Sequence, residues 1–317
     1  MDLAYLNYVR YEGGLVINKP TGITSHDTLD ELRDLLPNIS IGHTGTLDPQ
    51  ASGVLFALLG KATKIANFIE NWDKEYSAKI KLGVKTDTYD MEGRILEVVD
   101  EFQVSESEIK ESVGSLIGEI SQIPPVYSAI KYKGKKLYEY ARAGVEIKPE
   151  RRKVTIKNLE IVNINLPYVE LKINCSKGTY IRSIANDLGE KLGCGAVLAA
   201  LIRNKVGPYT LEQAVTLEKV AEICNENKIS DYIIPISVIL KDLPKIVVEE
   251  GCEERIKNGM ELKRENLASA DSCESGETVK VINANGEVLA VGKFLVSSAE
   301  LEKNKAGKIF QYLRVLI

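Results

Sequence analysis

Gly42-His43-Thr44-Gly45-Thr46-Leu47-Asp48-Pro49-Gln50-Ala51-Ser52-Gly53-Val54-Leu55 is the stretch on which the fold turns. It holds one carboxylate, one of only two histidines in the chain, three glycines and a proline, and then runs into an apolar segment. Glycine reaches backbone angles that other residues resist. Pro49 fixes its own φ and pushes Asp48 toward an extended conformation. The segment reads as a stiff loop that presents Asp48 at the lip of a strand or helix, where a carboxylate can be aimed at a reacting atom. An Asp-Pro pair between glycines is equally the chemistry of a plain turn.

Outward from the loop, elements follow by pattern. Val54–Leu59 is a continuous apolar run suited to a buried strand, and Lys61–Glu70 is expected as a helix opened by Gly60. Upstream, Leu15–Asn18 reads as a short strand. Ser25 is expected to cap a helix whose Leu29, Leu32, Leu35 and Leu36 share a face, and Pro37 stops it. Tyr76, Ala78, Ile80 and Leu82 alternate with polar residues at the strand period. Ser105-x-x-Glu108 is a capping box with Ile109, Val113 and Leu116 behind it. Val154–Leu166 and the alternation Val169, Leu171, Ile173, Cys175 give two more strands. Ile181, Ile184, Ala185, Leu188 and Leu192 recur at helical spacing. Strands mixed with irregularly placed helices predict an α+β fold.

Composition narrows the class. The chain has 317 residues, 44% hydrophobic and 27% charged, enough for about two domains with a real core. No segment reaches the roughly 18 uninterrupted apolar residues of a membrane span. Met1–Gly14 carries Asp2, Arg10 and Glu12 and does not read as a secretory signal, so a cytoplasmic location is expected. Cys175, Cys194, Cys224, Cys252 and Cys273 are dispersed without Cys-x-x-Cys spacing, as reduced thiols are. With His26 and His43 the only histidines, no metal site is expected.

A net charge of −4 gives no sign of a nucleic-acid binder, but charge is uneven. Between Gln122 and Lys157 ten Lys and Arg (Lys131, Lys133, Lys135, Lys136, Arg142, Lys148, Arg151, Arg152, Lys153, Lys157) face only Glu139, Glu146 and Glu150. They interleave with Tyr127, Tyr132, Tyr138 and Tyr140. Cations neutralise phosphates and rings stack on unpaired bases, a pairing that solubility alone does not require.

Six blocks in order resemble the TruB-type tRNA pseudouridine synthases across nearly the whole chain. They are Lys19–Ser25 (KPTGITS), the Asp48 loop, Tyr76 with Gly83–Asp90 (GVKTDTYD), Gln122–Lys131 (QIPPVYSAIK), Tyr140–Gly144 (YARAG), and Cys175–Arg182 (CSKGTYIR) continuing to Asp187-Leu188-Gly189. The resemblance implies a catalytic fold with a mixed, largely antiparallel sheet over residues 1–240, with residues 124–152 as a basic clamp. Asp242-Leu243-Pro244 reads as a hinge. Beyond it, Lys245–Val248, Thr278–Asn283, Val288–Val296 and Phe310–Leu316 are β-like, with Asn285-Gly286 as a hairpin turn. Residues 245–317 resemble a PUA-type RNA-binding β-barrel.

By the same resemblance the activity is isomerisation of uridine 55 in the T-loop of tRNA, without cofactor. Asp48 is implied as the catalytic carboxylate and Arg182 as the guanidinium that pairs with it. Tyr76 is implied to stack on the target base, Tyr180 and Leu201 to line the uracil pocket, and His43 to organise flipped-out nucleotides. Lys19 and Pro20 are expected to brace the floor, Lys19 also being a candidate for substrate contact. Ile202 stands where the family commonly has a second basic residue before Arg203. The T-arm of tRNA is the expected partner, with no protein partner and a monomeric chain. Three alternatives remain at this point: a tRNA-folding chaperone, a guide-RNA-dependent relative acting on ribosomal RNA, and an Asp-nucleophile hydrolase. The last would want a metal or a phosphate cradle.

Overall fold

In the computed structural model, which describes residues 11–128, 130–145, 147, 149–297, 299–301 and 307–317, the Tyr76–Leu82 alternation becomes the strand Lys74–Leu82, with alternate residues buried. The readings made on Met1–Arg10, Ala129, Glu146, Lys148 and the side chain of Arg142 lie outside the described residues. Lys74–Leu82 belongs to a ten-stranded sheet. Eight strands run in the order Ile234–Pro235, Gly13–Lys19, Ala51–Leu59, Ala196–Val206, Lys74–Leu82, Tyr168–Cys175, Arg152–Asn165, Gly118–Gln122. Two short strands, Ile41–His43 and Tyr209–Thr210, pair with Ala51–Leu59 and Ala196–Val206. Pairing is antiparallel throughout except where Ala196–Val206 meets Ala51–Leu59. The sheet is mixed and largely antiparallel, as expected.

That one parallel contact sets Leu201, Ile202 and Arg203 opposite Ala51, Ser52 and Gly53. Gly53 has φ +105°, and a Cβ there would lie 2.3 Å from the Arg203 carbonyl oxygen. Only glycine lets the two strands come together at this point, and their junction closes directly behind the Asp48 loop.

One half of the sheet is covered on both faces, so the apolar residues run without alternation over Leu15–Ile17 in the strand Gly13–Lys19 and over Val54–Leu59 in the strand Ala51–Leu59. The helices Ser25–Leu35 and Leu217–Asn225 pack on one face with Leu29, Leu32, Val220 and Ile223. On the other half, the helices Glu106–Gly114 and Ile181–Leu192 bury Ile109, Val113, Ile184 and Leu188 against Ala78, Ile80 and Leu171.

Three local readings change. The first helix is capped by Thr24, whose hydroxyl accepts from Asp27 N while the Asp27 carboxylate accepts from Thr24 N. Ser25 is buried in the first turn and serves the active-site loop instead. Lys61–Glu70 is a 3₁₀ segment, Gly60–Ile65, followed by the single turn Ala66–Ile69. Ala196–Val206 is a central strand that the pattern does not announce.

The second sheet has five strands in the order Leu267–Ala270, Lys245–Val248, Thr278–Ile282, Val288–Phe294, Phe310–Val315 around Ile246, Val279, Val281, Phe294 and Phe310. Asn285-Gly286 turns the Thr278–Ile282/Val288–Phe294 hairpin, with Gly286 at φ +81°. Val288 and Val291 of this sheet, with Leu316 just after it, share a cluster with Phe56 and Leu58 of the first sheet and Ile239 of the helical turn Ile236–Ile239. Lysines cross the junction in both directions. Lys64 Nζ donates to Val315 O at 2.9 Å and Lys280 Nζ to Leu240 O at 2.7 Å.

Candidate active site

The Asp48 loop is held from three sides. Before Asp48, Arg203 Nη2 donates to Gly45 O at 3.0 Å and Nη1 to Thr46 O at 3.4 Å, while Nε donates to Val54 O at 2.7 Å beyond the loop. At Leu47, Ser25 Oγ donates to the carbonyl at 3.0 Å and accepts from the amide at 2.8 Å. After Asp48, Pro49 O accepts from Gly22 N at 2.8 Å and from Lys19 Nζ at 3.2 Å. The Asp48 carbonyl accepts from Ala51 N at 3.0 Å, closing the turn. With the backbone fixed on both flanks, the position of the Asp48 Cβ is set.

The Asp48 side chain meets Arg182. Nη2 of Arg182 donates to Asp48 Oδ1 at 3.1 Å, and Nε lies 2.9 Å from Oδ2. The guanidinium side chain is 7% exposed and the carboxylate 43%. A buried cation therefore lies under a carboxylate whose other side is open to a substrate. Arg182 is itself fixed by three further acceptors. Nη2 donates to Tyr127 O at 3.0 Å, Nη1 donates to Thr88 O at 3.2 Å, and Nη1 lies 3.4 Å from Asp90 Oδ2. Asp90 is a member of the site that the residue-by-residue reading passed over, although it stood inside the quoted Gly83–Asp90 block. Arg203 was named only as a basic position of the family, and its role in holding the loop was not foreseen; the signal available was a cation directly after the apolar run Ala196–Ile202.

Around the carboxylate stand the residues the resemblance proposed. Tyr76 is 8% exposed, in register with Ile173 and Arg203, and belongs to the hydrophobic cluster that also holds Leu47, Ala51 and Ile181. Burial pushes its hydroxyl pKa up, and it feels the charges of both Arg203 and Asp48. Tyr180 is the residue before the helix Ile181–Leu192 and is clasped by Gln122. Tyr180 N donates to Oε1 at 2.8 Å and Nε2 donates to Tyr180 O at 3.0 Å. Its hydroxyl pKa is also raised by burial, with Asp48 and Arg182 near. Leu201 lies opposite Ala51 and Ala78 in register. His43 ends a strand at the start of the loop, and burial with the Arg203 charge lowers its pKa, so its ring is neutral at pH 7.

Lys19 is 0% exposed, and its ammonium is taken up by Pro20 O at 2.6 Å, Ile23 O at 2.7 Å and Pro49 O at 3.2 Å. Its three carbonyl partners tie the Pro20–Ile23 turn to the Asp48 loop at Pro49, as a brace of the floor would. Burial pulls its pKa down to about 8, against the attraction of Asp48 and with the repulsion of Arg203. A folded-state pKa below the ordinary 10.5 means the unfolded chain binds this proton more readily between pH 8 and 10.5. Stability from this group therefore rises with pH across that window, while the amine loses one of the three N–H groups it shares among the carbonyls. Turnover is expected to fall above about pH 8 without a matching fall in Tm. A rate profile flat to pH 9.5 with Tm followed in parallel would remove Lys19 protonation from the mechanism.

Arg203→Met should destabilise the fold. Arg203 is 1% exposed, and its loss strands the carbonyls of Gly45, Thr46 and Val54. Each buried acceptor left unpaired costs about 1–3 kcal/mol, partly offset by removing a buried charge, so a net loss of about 2–4 kcal/mol is expected. Denaturant titration measures it. Titration of His43 by NMR gives an independent check, since removing the Arg203 charge must move its pKa up.

Among the described residues there is no cluster of three or more His, Cys, Asp or Glu placed to hold a metal ion, and no helix long and apolar enough to cross a membrane. The basic segment reaches the site through Tyr127 O. Beyond it Lys131–Tyr132 and Lys135–Lys136 form an exposed two-stranded hairpin. Lys133 lies over the Tyr132 ring and Lys136 over the Tyr138 ring.

A mixed sheet with an appended five-stranded unit, and a carboxylate seated on a buried arginine at its centre, define a pseudouridine synthase architecture. The chain belongs to the TruB family. Its residues 33–181 match the TruB family pseudouridylate synthase N-terminal domain, residues 182–241 the tRNA pseudouridylate synthase B C-terminal domain, and residues 244–316 the PUA domain. Curated relatives include the tRNA pseudouridine synthase B of Clostridium tetani, 45% identical over 85% of this chain and 91% of that protein. That of Burkholderia mallei is 40% identical over 89% of this chain and 93% of that protein. Among solved structures, a chain of an archaeal box H/ACA sRNP complex covers 98% of this chain and 87% of its own length, with TM-score 0.74 and 25% identity.

Proposed function

We propose that this protein isomerises uridine 55 in the T-loop of tRNA to pseudouridine, with Asp48 as the reacting carboxylate. The observation that carries this reading is the half-open Asp48 carboxylate on the buried Arg182 guanidinium, with Tyr76 and Tyr180 close enough to feel its charge. The reaction breaks the bond from ribose C1′ to N1 of the base, turns the base over and forms a bond from C1′ to C5. The proton on C5 is lost and N1 gains one, so no electrons are exchanged with a cofactor. An ionised carboxylate serves attack on the sugar, attack on the base or removal of a ribose proton.

A base inside a folded RNA must leave its stack, at a cost of a few kcal/mol. Tyr76 facing the flipped uracil offsets this cost, and neutral His43 holds neighbouring nucleotides without adding charge. Lys131, Lys133, Lys135 and Lys136 neutralise T-arm phosphates, with Tyr132 and Tyr140 beside them. We take residues 1–240 as the catalytic unit and 245–317 as the RNA-binding unit, since the first sheet ends at Pro235 and the second starts at Lys245. We take the protein as a monomer acting on tRNA in the cytoplasm, with the pair Asp48 and Arg182 supplied by a single chain.

The test is incubation with an unmodified tRNA transcript, with pseudouridine mapped by carbodiimide and primer extension. One new stop, immediately 3′ of position 55, is expected. Modification elsewhere overturns the substrate, and RNA folding assistance without modification would leave the chaperone reading.

A further inference from the structure

Tyr89 stands between the two oxygens that one nitrogen of Arg182 touches. Nη1 donates to Thr88 O at 3.2 Å and lies 3.4 Å from Asp90 Oδ2. Between them Tyr89 has φ +64°, the left-handed region that costs a side-chain-bearing residue about 1–2 kcal/mol. Non-glycine residues stay there only when the surroundings over-determine it, and such residues gather at functional sites.

The surroundings here do so. Tyr89 O accepts from Leu198 N at 2.9 Å, and Asp90 bridges Leu198, tying the reversal to the central strand Ala196–Val206. Asp90 O accepts from Thr86 Oγ1 at 2.7 Å, and Asp90 Oδ1 accepts from Glu92 N at 3.1 Å and from Thr88 Oγ1. A Cβ at Gly93 would lie 2.2 Å from Thr88 Oγ1, so the loop is wound as tightly as glycine permits. Asp90 Oδ1 is thereby occupied within the loop, and Oδ2 is left for Arg182. The reversal at residue 89 thus coincides with the convergence of the Thr88 carbonyl and the Asp90 carboxylate on one nitrogen.

We propose that Tyr89 is a positioning residue whose left-handed backbone brings Thr88 O and Asp90 Oδ2 together on Arg182 and so fixes the guanidinium under Asp48. This deepens the function proposed above and rests on Asp48 and Arg182 being the reacting pair. What matters is the backbone angle, with the tyrosine ring secondary.

The experiment compares Tyr89→Gly, Tyr89→Ala and Tyr89→Val, with kcat, KM and tRNA Kd measured on an unmodified tRNA transcript and Tm taken for each. Glycine enters the left-handed region freely and is expected to keep kcat within about threefold. Valine, β-branched, resists that region and is expected to lower kcat about tenfold or more, with KM and Kd nearly unchanged. Alanine should fall between them. A glycine variant as impaired as valine, or a valine variant with the kcat of the parent, overturns the proposal. Should the valine chain fail to fold, alanine against glycine decides. A kcat for alanine clearly below that of glycine supports the backbone role, and equal values refute it. If the unmutated chain leaves the transcript unmodified, it is the proposed activity that fails, and the variants are not reached.

Discussion

Asp48→Asn is expected to lower single-turnover pseudouridine formation about 10⁴-fold or more while leaving the melting temperature almost where it was. Removing the reacting group of a concerted site costs this much because the remaining residues only bind and orient. The fold should be indifferent for a different reason. Asp48 is 43% exposed, and partly exposed ion pairs contribute about 0–1 kcal/mol. The asparagine oxygen can still accept from Arg182 Nη2, and Arg182 keeps Asp90, Thr88 O and Tyr127 O as partners. tRNA affinity should change little, since the basic hairpin and the tyrosines are untouched. Residual turnover above about one per cent of the parent rate would remove Asp48 from the reaction.

How much of this was legible depends on the range over which a residue acts. The strands Lys74–Leu82 and Tyr168–Cys175 were readable because each has one buried face, so alternation survives in the sequence. Ala196–Val206 was not. Its first residues are buried on both faces, and its pairing slips between Leu198 and Ala200 and again between Arg203 and Lys205, which breaks the period of two. Lys61–Glu70 misled because apolar residues three apart suit a 3₁₀ turn as well as a helix. Thr24 and Ser25 are both good caps, and only the demand of Leu47, far along the chain, takes Ser25 away from that role. The same holds within the site. Asp48 and Arg182 sit in motifs dense enough to identify. Arg203 and Asp90 act by reaching carbonyls and a guanidinium on distant segments, and no local pattern encodes a partner that the sheet alone brings near.

Arg182→Lys is expected to lose at least about 10²-fold in single-turnover rate, although the charge is kept. The guanidinium spreads its donors over a plane and touches both oxygens of Asp48, two carbonyls and Asp90 at once. An ammonium is a single point with three donors at one nitrogen and cannot span them. Placed to satisfy Asp48 it abandons Thr88 O and Tyr127 O, each costing about 1–3 kcal/mol when left without a partner in a buried setting. Placed to satisfy the carbonyls it leaves Asp48 free to swing, and misplacement of a reacting group by about 1 Å costs about 10²-fold. A modest fall in Tm should accompany the loss, in contrast to Asp48→Asn. Because Tyr127 O also anchors the foot of the basic segment, tRNA Kd is expected to weaken, by less than the rate does. A lysine variant that turns over near the parental rate would show that charge alone, without the fork of donors, holds the carboxylate, and the geometric role assigned to Arg182 would have to be abandoned.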